Sequence, residues 1–306
     1  MSTGTTLPRA LLTDLLDDAA VFPPGSAPLP RAVAEYRDRV RHPWADLVGP
    51  LLVPATASAE LLAVLAPEPP PGQQAGEGPT ARLPVVLVAR PDTPVSALVE
   101  AVARLWPVPT VRLAGVELSH QAGWQQALDW GVPVAVEVDR APEARQPALA
   151  AVAAAAAAED SPPVRIKLRT QSSPAGPVPT GEQVAGFLTD AHAAGLPAKL
   201  TGGLHHAVAT TVPADGGTED QHGLLNVLLA AERVRSGAPA EQVLAVLAER
   251  HGETLAGQAA GLTGDRARAA RTLLTAVGCC GVLDPLTELA DLGLLPAVET
   301  ARQEDP

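Results

Sequence analysis

The chain has few aromatic residues, only two cysteines and no long uncharged apolar run. Aromatic side chains make up 2% of its 306 residues, so the core must be built mainly from Leu, Val and Ala. The two cysteines, Cys279 and Cys280, are adjacent, and adjacent cysteines rarely form a relaxed disulfide. The sequence therefore predicts a protein of a reducing compartment, the cytoplasm.

Targeting signals and basic character are also lacking. The first residues show neither the basic segment nor the apolar stretch of a signal peptide, and no apolar run reaches the roughly 18 residues of a transmembrane helix. Lys and Arg total 22 against 34 Asp and Glu, whereas phosphate backbones and anionic membranes attract a positive surface. We therefore expect no nucleic-acid partner, no membrane partner and, without a GxGxxG or P-loop motif, no nucleotide cofactor.

What is present is a repeat of short β-branched runs, each followed by an Ala- and Leu-rich helical stretch. This alternation is typical of βαβ units, and the length fits one (β/α)-barrel domain over residues 1–306. We predict a TIM-type (β/α)8 barrel with a capping helix at 8–16, a flexible loop at 67–79, a frayed tail at 299–306 and an irregular region after the seventh strand. The predicted strands are 19–23, 50–55, 84–89, 110–118, 132–138, 164–170, 197–202 and 274–282.

Strand parity separates the residues that face the helices from those that face the barrel interior. Alternate residues of a strand point to opposite sides, and the helix-facing set must be apolar. In the sixth strand Ile166 and Leu168 are the apolar set, which directs Arg165, Lys167 and Arg169 inward. The same reasoning directs a second set of polar residues inward: Glu117, Glu137, Asp139, Lys199 and Thr201.

Four neighbouring strands thus send charged residues toward their carboxyl ends, where barrel enzymes keep their active sites. Because an unpaired buried charge is costly, this cluster favours a functional site. The alternative is a structural network in which Glu117 and Glu137 neutralise Lys167, Arg169 and Lys199. Two neighbouring lysines each disfavour the other's charge, so we expect one depressed pKa. A neutral lysine amine forms Schiff bases with carbonyl compounds.

The segments RIKLRT, around Lys167, and AKLTGG, around Lys199, resemble short motifs of deoxyribose-phosphate aldolase and related class I aldolase barrels. The resemblance implies that Lys167 forms an imine, that Lys199 assists it, and that Gly202 and Gly203 approach a substrate phosphate. The chain departs from that family where Leu168 and Arg169 follow the first lysine, and where His205 and His206 follow the glycine pair.

We therefore expect a Schiff-base-forming lyase that acts on a small anionic carbonyl substrate without a cofactor or a bound metal. In this hypothesis Lys167 forms the imine, Lys199 lowers its pKa, and Glu117 or Glu137 moves protons. His206 is a further candidate for proton transfer. The expected substrate-binding residues are Arg169, Thr201, Gly202, Gly203 and His205.

Two other functions stay open. One is a metal-assisted isomerase or lyase with Glu117, Glu137 and His206 as ligands. The other is a barrel that binds an anionic metabolite through Arg169 and Lys199 without turnover. The oligomeric state is also open, with a homodimer among the options.

Two pairs of residues carry weaker expectations. Asp17 and Asp18 precede the predicted first strand, and for Asp18 a cap is favoured over an interior acid. For Cys279 and Cys280 the default is a small core residue, because the sequence places no base beside either thiol.

Overall fold

The protein folds into a closed barrel of eight parallel strands surrounded by helices. The structure is a computed structural model that describes residues 6–66, 82–173, 176–214 and 217–298. Each strand pairs in parallel with its neighbours, and the last strand in the chain pairs with the first. The predicted TIM-type (β/α)8 fold is therefore confirmed. The predicted loop at 67–79 and the predicted frayed tail at 299–306 lie outside the described residues.

The barrel strands and a hairpin inserted before the last of them have the following bounds. The barrel strands are β1 (Leu16–Asp18), β2 (Val48–Pro54), β3 (Leu83–Val88), β4 (Val111–Ser119), β5 (Val134–Glu137), β6 (Val164–Arg169), β7 (Ala198–Thr201) and β10 (Leu274–Cys279), and the hairpin strands are β8 (Thr210–Ala214) and β9 (Gly217–Gln221). The helices are α1 (Leu29–Arg39), α2 (Ser58–Leu65), α3 (Val95–Leu105), α4 (Pro142–Ala156), α5 (Gly181–Ala193), α6 (Leu224–Arg235), α7 (Ala240–Ala248), α8 (Gly252–Ala260), α9 (Gly264–Leu273) and α10 (Leu283–Asp291). None of the helices described combines the length and apolar character needed to cross a bilayer.

The main core lies between the barrel wall and the helices. The helix-facing residues of β4, β6 and β7 are aliphatic and almost completely buried, as Val116, Ile166, Leu168 and Leu200 show. Burial of such side chains against helices is the main stabilising contribution to a barrel of this kind. The residues that alternate with these aliphatic side chains along each strand must therefore point into the barrel.

The first strand is the element whose predicted position is wrong. It lies at Leu16–Asp18 rather than at 19–23, and it pairs Asp17 with Gly278 and Asp18 with Cys279 of β10. Two adjacent aspartates are typical of a turn, but here both carboxylates are buried and each contacts a basic side chain. The strand therefore runs through them, because distant partners supply the compensating charge.

The predicted capping helix at 8–16 is also wrong in length. Only Arg9–Leu11 forms a short 3-10 helix, since β1 begins at Leu16 and the intervening residues must run toward it. Leu11, Leu12 and Leu15 are nonetheless buried, so this segment still covers apolar surface at the start of the barrel.

The region after β7 is irregular, as predicted. The β8–β9 hairpin precedes α6, which contacts α5, α7, α8 and α9 and is buried over most of its length. The buried Asn226 of α6 accepts a hydrogen bond from the backbone N–H of Ala209 at 2.8 Å and donates one to the carbonyl of Val246 at 2.8 Å. Four helices, α6 to α9, follow the hairpin before the last barrel strand.

Candidate functional site

The interior of the barrel holds a row of alternating charges. Lys199 contacts both Asp17 and Glu117, and Lys167 Nζ lies 3.1 Å from Glu117 Oε2 and 2.9 Å from Glu137 Oε2. The row ends at Arg169, whose Nε and Nη2 donate to the two oxygens of Glu137 at 3.1 Å each. Each internal member contacts an opposite charge on both sides, so the negative and positive charges of the row compensate one another.

The strand register explains why these side chains meet. In the parallel pairing Lys167 of β6 lies beside Lys199 of β7, and Glu137 of β5 lies beside Lys167. Glu117 comes from β4 and reaches across to both amines. Lys167, Lys199 and Glu117 are each exposed by 1% or less, so their charges are compensated by one another rather than by water.

The pKa values of the central groups follow from these contacts. Burial acts to raise the pKa of Glu117, but the amines of Lys199 and Lys167 outweigh it and hold that pKa well below its usual range. Burial likewise acts to lower the pKa of Lys167, but the carboxylates of Glu137 and Glu117 outweigh it and raise that pKa. The expectation that paired lysines would leave Lys167 with a depressed pKa is therefore wrong, because a carboxylate lies between the two amines.

A cavity opens onto this row from the carboxyl ends of the strands. The space open to the centre of a water molecule is about 40 Å³, so the cavity admits only a small ligand. Lys167, Glu117 and Arg169 line one part of the cavity, while Leu52 and Val88 line another. Lys199 is not among the lining residues, so Lys167 is the amine that a ligand meets.

Lysine is rare in this chain, and both lysines lie in the charged row. The 22 basic residues comprise only two lysines, Lys167 and Lys199, and therefore 20 arginines. Both lysines lie inside the barrel, with their amines on the same carboxylate, Glu117. An arginine also compensates a buried carboxylate, but its guanidinium stays protonated and cannot act as a nucleophilic amine. The chain thus uses a primary amine only where the cavity and its charged row are found.

No family model, no curated protein and no solved structure matches this chain. Barrels of this fold are commonly enzymes with their sites at the carboxyl ends of the strands, and the cavity lies at that end. The chemistry of the site must therefore be inferred from the residues themselves.

The end of β7 and the turn after it place two of the predicted binding residues at the cavity. Thr201 and Gly202 line it, and Gly203 follows. Gly202 and Gly203 have φ values of 79° and 70°, a left-handed conformation that favours glycine. The backbone N–H of Gly203 donates to the side-chain oxygen of Gln171 at 3.2 Å, so a ligand oxygen reaches this amide only if it displaces that side chain.

The two adjacent histidines point to different neighbours. His206 Nδ1 lies 2.7 Å from Glu288 Oε1 of α10, and it does not join Glu117 and Glu137. This corrects both its expected role in proton transfer and the ligand set of the metal-assisted alternative. His205 instead contacts the sulfur atoms of both cysteines, with its Nε2 3.4 Å from Cys280 Sγ.

Several further assignments change or are new. Asp17, which the sequence did not place in the site, is the partner of Lys199 at the far end of the row. Asp18 is a buried acid that pairs with Arg39 rather than a helix cap. Asp139 is exposed and accepts from the N–H of Ala141 at 2.7 Å, so it does not face the interior as expected.

Arg90 is a second addition, at the end of β3. It lines the cavity together with Arg169. No ion pair joins Arg90 to any residue in the described part of the chain, whereas Arg169 is held by Glu137. The signal for Arg90 in the sequence was weak, since it follows a wholly apolar strand and belongs to no alternating charged pattern.

Proposed function

We propose that this protein is a Schiff-base-forming lyase that acts on a small carbonyl compound, with Lys167 as the residue that forms the imine. One observation carries the proposal: the only two lysines of the chain share Glu117 inside the barrel, and one of them lines the cavity. A structural ion-pair network needs only a cation, which arginine supplies everywhere else in this protein. A primary amine, unlike a guanidinium, can also form a covalent bond to a carbonyl carbon.

The resting charge of Lys167 sets the first step of the reaction. Its raised pKa means that the amine must lose a proton before it attacks a carbonyl carbon, and Glu117 and Glu137 are both within 3.1 Å. Proton transfer to one of them removes two buried charges, which burial favours, but it works against the raised pKa of Lys167 and the lowered pKa of the carboxylate. It is therefore the demanding step of the reaction. The neutral amine then bonds to the carbonyl carbon while the π pair moves to oxygen, and a proton moves from nitrogen to that oxygen to give the carbinolamine. The carboxylic acid returns its proton to the hydroxyl, which leaves as water as the nitrogen lone pair forms the C=N bond. The iminium that remains withdraws electrons from the neighbouring carbon–carbon bond.

An anionic group on the substrate would be held at the cavity entrance. Arg169 was the expected partner, but Glu137 already accepts two of its hydrogen bonds. Arg90 is the available cation beside it, and a carboxylate or phosphate bound there forms charge-assisted hydrogen bonds. We therefore assign the anion to Arg90, with Arg169 as a second contact.

The rival function is a barrel that binds an anionic metabolite without chemical change. The raised pKa of Lys167 favours it, because an ammonium ion binds anions but does not form imines. The two functions differ in one observable, which is a covalent bond at Lys167.

Imine trapping with borohydride tests the proposal directly. The purified protein is incubated with small aldehydes and ketones, with and without a carboxylate or phosphate, then reduced, digested and analysed by mass spectrometry. We expect a reduced adduct on Lys167 and none in Lys167→Met. Lys199 is the internal control, since it is the other lysine of the chain and does not line the cavity. Failure of every carbonyl compound to label Lys167, together with recovery of unchanged bound ligand, would leave the binding protein as the answer.

A further inference from the structure

A second group of reactive side chains lies at the same cavity, on the turn after β10. Cys280 is half-buried and lines the cavity together with Lys167. Its Sγ lies 3.4 Å from His205 Nε2, and His205 Nδ1 lies 4.0 Å from Asp284 Oδ2 of α10. The thiol and the imidazole form a nucleophile and a base, whereas the Asp284 carboxylate is too far away to hydrogen-bond the imidazole and is mostly exposed.

The backbone that delivers His205 is unusual. Gly202, Gly203 and Leu204 all have positive φ values, and that of Leu204 is 58°. A buried leucine rarely adopts this conformation, and such residues cluster where the surrounding structure holds a functional group in place. The turn directs His205 onto the two sulfur atoms, whereas His206 leaves toward Glu288.

The two thiols differ in access. Cys279 is completely buried, and its Sγ lies 3.8 Å from the carbonyl of Leu204. Burial raises the pKa of Cys279 and also that of Cys280, while burial lowers the pKa of His205. The pair of Cys280 and His205 is therefore a neutral thiol beside a neutral imidazole, an arrangement in which the base takes the proton during attack.

We propose that Cys280 is a second nucleophile of the cavity, with His205 as its base, and that it captures small aldehydes as hemithioacetals. In this step the thiol proton moves to His205 Nε2 while the bond between Sγ and the carbonyl carbon forms. The electron pair of the broken carbonyl π bond moves to oxygen, which then takes the proton from His205. Nothing is oxidised or reduced, and the reverse steps release the aldehyde.

Alkylation by iodoacetamide measures the nucleophile independently of any imine. At neutral pH we expect labelling of Cys280 and not of Cys279, and His205→Ala should slow it by at least about tenfold, the effect of losing a general base. His206→Ala is the matched control, because that neighbouring histidine contacts Glu288 instead of sulfur. Added imidazole should restore part of the rate in His205→Ala, which a purely structural role of His205 would not produce. Circular dichroism checks that each variant is folded, and His205→Gln serves if His205→Ala is not.

Acetaldehyde labelled with carbon-13 at its carbonyl identifies the adduct. A hemithioacetal carbon gives a resonance distinct from those of the free aldehyde, its hydrate and an imine, and Cys280→Ser should remove it. Equal labelling rates in His205→Ala and His206→Ala would overturn the role of the base. Absence of the hemithioacetal resonance from the unmodified protein would overturn the aldehyde site. Neither the alkylation rates nor the hemithioacetal resonance depends on an imine at Lys167. A failure of the lyase proposal would therefore leave both results unchanged.

Discussion

The two halves of the barrel interior are filled by opposite kinds of side chain. On β2 and β3 the inward residues are Leu52, Val86 and Val88, which pack with Ala19 into a small apolar cluster. On β1 and on β4 to β7 the inward residues include the row of charges that runs from Asp17 to Arg169. The cavity lies where the halves meet, since residues of both line it.

This difference shows which half of the interior is specialised. Aliphatic side chains fill a barrel without any partner, because each gains from leaving water independently of the others. Buried charges gain only as a complete set, since the loss of one partner leaves another uncompensated. A ligand at the boundary meets an apolar wall and a polar wall, which suits a small molecule with a carbonyl group and a short carbon chain.

The largest expected effect comes from removing one charge of the row. Glu117→Gln deprives Lys167 and Lys199 of their shared carboxylate, and breaking a buried ion pair in this way costs about 3–5 kcal/mol. We expect the free energy of unfolding in urea to fall by that amount. Glu253→Gln, at an exposed position of α8, should change it by less than about 0.5 kcal/mol.

A double variant separates charge from packing in this result. Glu117→Gln with Lys199→Met removes a contacting pair, so its cost should fall below the sum of the single costs by about 0.5–3 kcal/mol. If the losses in free energy of unfolding were additive, the charges of the row would act independently of one another. The charged half would then not differ in this respect from the apolar half.

The apolar half should respond less strongly. Leu52 is 2% exposed and lines the cavity. Leu52→Ala leaves a void that opens into existing space, so we expect a loss of about 2–3 kcal/mol, the lower part of the range for such changes. Urea unfolding measures this loss, and borohydride trapping at Lys167 should persist in the variant. Loss of trapping in a folded Leu52→Ala protein would show that the two halves do not act separately.

The alternation of apolar and polar residues along the strands predicted most of the charged site. It identified Lys167, Lys199, Glu117 and Glu137 as inward residues because their aliphatic neighbours had to face the helices. It failed at β1, because Asp17 is recognisable as an interior residue only through Lys199, 182 residues away in the chain. Parity therefore works within strands whose helix-facing set is apolar. It fails where a strand is short and polar, and beyond the end of a strand, as at Asp139 after β5.

The contacts between strands and loops could not be read from the sequence either. The raised pKa of Lys167 depends on the carboxylates of Glu137 and Glu117 lying within 3.1 Å of its amine, which is a matter of three-dimensional distance. His205 and His206 are adjacent in the chain but contact different groups, because the positive φ of Leu204 turns the backbone before them. Nothing in the residue pattern distinguishes the two histidines.

The smallest expected effect concerns the edge of the charged half, at β1. Tyr36 is the only tyrosine of the chain, and its hydroxyl donates to the carbonyl of Gly49 on β2 at 2.9 Å. Burial raises its pKa to about 12, and the carboxylates of Asp18 and Asp17 act in the same direction. Tyrosinate absorbance of the folded protein should therefore appear near pH 12, whereas in urea it should appear near the usual value of about 10.

Removing the carboxylate of Asp18, the larger of the two charge effects on Tyr36, tests whether the charge of β1 reaches this tyrosine. Asp18→Asn should move the midpoint of the tyrosinate titration downward by a fraction of a pH unit, because a neutral side chain no longer opposes the phenolate. Asp92→Asn, on the loop after β3, should leave the midpoint unchanged. A midpoint near 10 in a protein that circular dichroism shows to be folded would place Tyr36 in water, away from the boundary between the two halves.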